Sequence, residues 1–246
     1  MATESTDEER SPFTTPRFIA SAALIALLVV ALVFLFVTRD SGDKNTDASS
    51  APTAEVTVTQ AASATPTSDS VCGMAAGSQE VPTAPLGTNS LTVATNLTVP
   101  DIEGAGPGIT KGITRCFAHS PKGAVVAAAN FMRWFSSKQQ LDEVAETLLA
   151  SGSDRDRMVV NIKAEWDGST NSPFSIEGYK VAVRSKNEVL VTLAVAPTTD
   201  LTRMSSWPLV MVWEDGDWKV QVPSNDDWGE TAISNMSAEG FVPWPF

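Results

Sequence analysis

Histidine, cysteine and tyrosine are almost missing from this chain: His119, Cys72, Cys116 and Tyr179 are the whole supply in 246 residues. One His and two Cys fall short of the four nitrogen and sulfur ligands of a structural zinc site. The cysteines lack the C-x-x-C spacing of a redox pair. There is no G-x-S-x-G elbow, no phosphate-cradling glycine loop and no G-x-G-x-x-G element. No cofactor and no metal is expected. Basic residues are also scarce, 17 Lys+Arg against 29 Asp+Glu for a net charge of −12, and they are scattered singly. Without a basic patch to neutralise phosphates, a nucleic-acid partner is not expected.

Charge is absent altogether from Phe18 to Val37, FIASAALIALLVVALVFLFV. As a helix this run would rise about 30 Å, the thickness of a bilayer core. A cleaved signal peptide would have a shorter apolar region and small residues at its end. Thr38-Arg39-Asp40 follows instead. The reading is an uncleaved signal anchor spanning the membrane once. Arg10 and Arg17 before it are balanced by Arg39 and Lys44 after it, so flanking charge does not orient it. Two features break the tie. No Lys or Arg occurs between Lys44 and Lys111, and both cysteines lie beyond the span. The predicted layout is a cytoplasmic tail over 1–17, a transmembrane anchor over 18–37, a stalk over 38–71, and an extracytoplasmic domain over 72–246.

The stalk is dominated by Ser, Thr, Ala, Pro and Asp. It has few large apolar side chains to offset the entropy of ordering, so disorder is expected. Residues 72–120 are rich in Gly, Pro and Thr, with one strand expected over Leu91–Val99. A Cys72–Cys116 disulfide would staple this irregular stretch. In the chain-entropy model it contributes about 4 kcal/mol. Free buried thiols are the alternative.

His119 lies in RCFAHSPKGAVVAAANFMRWF, residues 115–135. Ser120-Pro121 is a helix start: Ser caps free amides and Pro is tolerated in the first turn. Val125, Ala128, Ala129, Met132 and Phe135 then recur at helical spacing, and the alanines allow close approach to another surface. His119 therefore stands at a junction. A structural corner, a general base and a metal ligand are all readings of it, the last two lacking visible partners. Leu141, Val144, Ala145, Leu148 and Leu149 mark a second helix. Met158, Ile162 and Trp166 line one side of a third, with Ser153 as its expected cap and Asp154 and Asp156 near its positive end.

From Ser175 the period changes to two. Tyr179, Val181 and Val183 precede a turn near Lys186-Asn187; Val189, Val191, Leu193 and Val195 follow it. Leu209, Met211 and Trp213 form a third strand, and Asp215-Gly216 turns into Trp218, Val220 and Val222. Helices followed by a meander predict α+β: three N-terminal helices packed on one face of a curved antiparallel sheet, with the helix-sheet core over about 117–223. The acidic pairs Asp154/Asp156, Asp215/Asp217 and Asp226/Asp227 do not match a calcium loop, and Asp215/Asp217 are accounted for by the hairpin turn. The end, GFVPWPF, is too apolar for a solvated tail. Trp244 and Phe246 either dock on the sheet or anchor a partner.

The order of helices and strands ending in EDGDWKV resembles the nuclear-transport-factor-two-like superfamily, also called cystatin-like or ketosteroid-isomerase-like. That resemblance implies a cone-shaped domain used by isomerases, dehydratases and binding modules alike. GSQEVPTAP at 77–85, Gly106-Pro107-Gly108, CFAHSPKGA at 116–124, EDGDW at 214–218 and Phe241-Val242-Pro243-Trp244 resemble landmarks of an actinobacterial family of membrane-anchored proteins, some associated with conjugative elements. The anchor-stalk-domain layout is also similar to bitopic subunits of type IV secretion and conjugation machines, which implies a scaffold.

Protein partners or self-association through an exported interaction module are therefore the leading expectation, without enzymatic activity. A small-molecule or enzymatic pocket, with His119, Tyr179 and an acid such as Asp167 or Glu177, is the alternative. A structural cell-envelope protein is the third reading.

Overall fold

The computed structural model describes residues 70–246. The expected anchor at 18–37 and the stalk up to residue 69 lie outside the described residues. Among the described residues, no helix is long and apolar enough to cross a membrane.

Two strands come first, β1 (Asn89–Val93) and β2 (Leu97–Asp101), paired antiparallel. The single strand expected over 91–99 is thus a hairpin. Its turn is made by Ala94 and Asn96, both with positive φ, in the left-handed conformation that Asn tolerates better than most residues. Three helices follow: α1 (Pro121–Ser137), α2 (Leu141–Leu148) and α3 (Ser153–Glu165). The antiparallel meander is β3 (Ser175–Ser185), β4 (Glu188–Ala196), β5 (Ser205–Glu214) and β6 (Asp217–Val220). Two short strands close the chain, β7 (Thr231–Ala232) and β8 (Val242–Pro243). The sheet order is β6-β5-β4-β3-β8, with β7 on β5, while β1–β2 forms a separate two-stranded sheet.

This corrects the expected fold class on three points. The helices are not N-terminal in the domain, because the β1–β2 hairpin precedes them. They do not share one face of the sheet either. α1 alone packs broadly on it, α2 touches it only at β6, and of the helices and strands α3 meets α2 alone. Finally, α3 buries no residue completely: Met158, Ile162 and Trp166 are only half-covered. The physical reason lies in α1. It is buried on nearly every side from Pro121 to Trp134, since the sheet covers one side and β2 the other. Alanines at 124, 127, 128 and 129 let both layers approach the helix axis. Buried polar groups bind the layers: Asn130 Nδ2 donates to Pro100 O at 2.8 Å, Arg133 Nε to Thr98 O at 2.8 Å, and Thr114 Oγ1 to Asn130 Oδ1 at 2.8 Å.

Ser120 caps α1, its Oγ accepting from Gly123 N at 3.1 Å, with Pro121 at the first position. Gly123 is required here, because a Cβ would fall 1.9 Å from the Ala118 carbonyl oxygen. Ser153 does not cap α3; it is the first helical residue, preceded by Gly152 at φ 145. The Asp215-Gly216 turn forms as read, both residues having positive φ, with Glu214 opposite Asp217.

Candidate functional site

Cys72 and Cys116 form a disulfide. Cys116 N donates to Asp217 Oδ2 at 2.6 Å, and Phe117 N to Asp217 Oδ1 at 2.9 Å. Trp218 N also donates to Asp217 Oδ1 at 2.9 Å, and the Trp218 indole donates to Ala118 O at 2.8 Å. The segment before α1 is therefore clamped to the β5–β6 hairpin by three hydrogen bonds. Burial pushes the Asp217 carboxyl above its ordinary range, and its amide donors pull it back without cancelling the shift. Turn chemistry accounts for Asp215 but not for Asp217, which is 7% exposed and faces inward. Nothing in the local sequence distinguishes the two.

His119 completes this clamp. Its ring lies flat on Trp213, centroids 4.0 Å apart and planes 8° apart, and meets Trp218 edge-on at 5.6 Å. The Nε2 lies 2.9 Å from Lys186 O. A carbonyl only accepts, so Nε2 carries the proton. His119 thus joins the β3–β4 turn to the β5–β6 hairpin, and among the described residues no carboxylate is recorded bonding its ring.

Tyr179 is fully buried elsewhere, its hydroxyl donating to Ala84 O at 2.8 Å. Burial pushes its pKa up to about 12. Lys186, held by His119, lies seven residues beyond Tyr179, about 20 Å along a strand. The two do not share a site. Trp244 meets Tyr179 edge-on at 5.7 Å, and its indole donates to Thr88 Oγ1 at 2.7 Å. Phe246 exchanges backbone hydrogen bonds with Ile176, and its ring lies 5.6 Å from the Arg133 guanidinium. The apolar end is docked on the sheet, not presented as an anchor. The Ser169 side chain, followed by the Ser169 backbone N–H that donates to Asp167 Oδ1, holds the Asp167 carboxyl below the usual range. Glu177 accepts from Ser175 Oγ at 2.6 Å. Each acid serves its own turn or strand end.

The acidic pairs separate in the same way. Asp154 and Asp226 both hold Arg157, at 2.6 and 2.9 Å, and Asp215 pairs with Lys219 at 3.2 Å. Among the described residues, no group of three or more His, Cys, Asp or Glu is arranged to hold a metal ion.

One cleft brings together residues that the sequence reading left in the core or unassigned. Met132 and Phe135 of α1, Phe174 before β3 and Trp207 of β5 line a cavity of about 390 Å³, with Ser136, Lys138, Asn171 and Ser172 at its polar side. Trp228 sits behind it, within 6.1 Å of Trp207, Phe131 and Phe135. The Trp207 Nε1 is buried with no hydrogen-bond partner. Helical spacing marks Met132 and Phe135 and strand alternation marks Trp207. That they meet at one opening is a long-range fact.

No curated protein and no solved structure matches the chain. Residues 51–243 match the model of a family described as a domain of unknown function, DUF8175. Most of the chain falls within that match, and it belongs to the DUF8175 family.

Proposed function

We propose that this protein is a membrane-anchored, extracytoplasmic interaction module, acting as an accessory scaffold of a secretion or conjugation assembly. The observation that carries the reading is the disulfide in the domain, joined in one chain to a 20-residue uncharged run. Disulfides persist in oxidising compartments, and an apolar run of that length suits a bilayer. The ionisable groups support it as well. His119 and Asp217 belong to one clamp, and Tyr179, Asp167 and Glu177 are each engaged in structural contacts elsewhere.

The test is to crosslink the full-length protein in its native membrane, purify it and identify its partners by mass spectrometry. Recovery in the membrane fraction with secretion or conjugation subunits is the expected result. The reading fails if the domain cut free of residues 1–40 restores the whole activity of a deletion strain.

A second reading rests on the Trp207 cleft. Its apolar walls and an unpaired buried indole N–H suit a small apolar ligand carrying one hydrogen-bond acceptor. Saturable quenching of tryptophan fluorescence by such ligands, lost in Trp207→Phe, would favour it over the scaffold.

A further inference from the structure

Lys138 ends α1 in a conformation that does not suit a lysine. Its φ of 56° is left-handed, the region that glycine fills most readily at a helix end. The side chain is exposed. Among the described residues its ammonium takes part in no hydrogen bond and no ion pair.

Two clefts meet at this side chain. One is the Trp207 cleft of about 390 Å³. The other, about 570 Å³, runs along α2 and α3 past Leu141, Met158, Ile162 and Trp166. Their charges differ. Glu165, Asp167 and Asp226 line the α3 cleft, and Asp167 feels the Lys138 charge from that side. Lys138 is the single charged residue of the Trp207 cleft. Beside it stand the side chains of Asn171 and Ser172, which make no hydrogen bond among the described residues. Ser136 is already committed, its Oγ donating to Met132 O at 2.6 Å and accepting from Phe174 N at 3.1 Å.

Taking the Trp207 cleft as the ligand site of the second reading above, on which this step rests, we infer that its ligand is a monocarboxylic acid. The carboxylate pairs with Lys138 and accepts from Asn171 and Ser172, while the apolar body lies against Met132, Phe135, Phe174 and Trp207. A lone ammonium beside neutral donors matches one negative charge, and ion-assisted hydrogen bonds are the stronger kind. A phosphate, with more charge to neutralise, would call for further cations that this cleft lacks.

The C-terminal end of a helix is ordinarily a poor place for an anion. Here the last carbonyls are occupied. Trp134 O accepts from Ser137 Oγ at 2.8 Å, Phe135 O from Lys138 N at 3.3 Å, and Ser137 O from Asn171 N at 2.8 Å. The α3 cleft, with three carboxylates around the same ammonium, repels an anion, so the carboxylate belongs on the Trp207 side. The volume lies at the small end of the range of about 300–1,000 Å³ usual for ligand sites. It suits a short chain or a single ring better than a long acyl tail.

Calorimetric titration of the purified full chain with phenylbutyrate and with its neutral amide, phenylbutyramide, separates charge from shape, with empty detergent micelles as the blank. The acid should bind saturably and about fivefold or more tightly than the amide near neutral pH. Lys138→Gln should remove that preference and leave the affinity for the amide unchanged, and Lys138→Glu should make the acid the weaker ligand. Glutamine keeps an unbranched stem on the same backbone, and an unchanged urea midpoint reports the native fold. Equal affinities for acid and amide in the unaltered chain would overturn the carboxylate assignment and leave the cleft as a site for neutral ligands. A preference that survives in Lys138→Gln would overturn the part given to Lys138. No saturable binding of either compound would overturn the inference and the ligand reading together.

Discussion

Asp217 accepts the backbone amides of Cys116 and Phe117, residues about a hundred positions earlier, through its two carboxylate oxygens. Replacing it with Ala leaves these amides and that of Trp218 buried and unsatisfied. A loss of about 2–5 kcal/mol is expected, read as a lower urea midpoint. The pH dependence has a definite sign. The folded carboxyl titrates above its ordinary 3.8, so its contribution is complete below that value and is lost as pH rises through the raised folded pKa. Asp217→Asn should lack this decline.

His119→Ala removes the stack on Trp213 and the bond to Lys186 O. A destabilisation of about 1–2 kcal/mol is expected, with a change in tryptophan fluorescence. His119→Phe should recover part of it, because a flat ring can still cover Trp213. Full loss of stability in His119→Phe would show that the hydrogen bond, not the stack, is what matters.

Tyr179 is the chain's one tyrosine, so tyrosinate absorbance reads a single group. Its midpoint in the native protein should lie near 12, against 10.0 in urea. The raised folded value means stability present below 10.0 and lost as pH climbs towards about 12. A native midpoint equal to that of the unfolded chain would contradict the burial of the hydroxyl against Ala84.

Reducing the Cys72–Cys116 disulfide, or replacing both cysteines with Ser, frees a loop whose ends are 44 residues apart. The chain-entropy model sets the loss at about 4 kcal/mol. Calorimetry with and without reductant checks it. The change should be smaller in Asp217→Ala, where the same turn is already loosened.

Much of the domain was legible before the structure. Ser120-Pro121 carries its own capping chemistry, Leu141 to Leu149 its helical period, and Asp215-Gly216 its turn. Other features were not. The hairpin at 89–101 was read as one strand because Ala94 and Asn96 are ordinary-looking residues in an unusual conformation. The third helix was given a place in the layer, but its half-exposed Met158 and Ile162 have only α2 beside them. Asp217 resembled Asp215 because both flank one glycine.

By itself the sequence determined the cap of α1, the helical period of α2, the turn at Asp215-Gly216 and the scarcity of groups for zinc or redox chemistry, because these follow from residue type, spacing and count. Tertiary structure alone decided that α1 is covered on two sides, that His119 lies on Trp213, and that Trp244 is buried against Tyr179. Those outcomes join residues far apart along the chain, and no local spacing rule specifies which distant surface a side chain will meet.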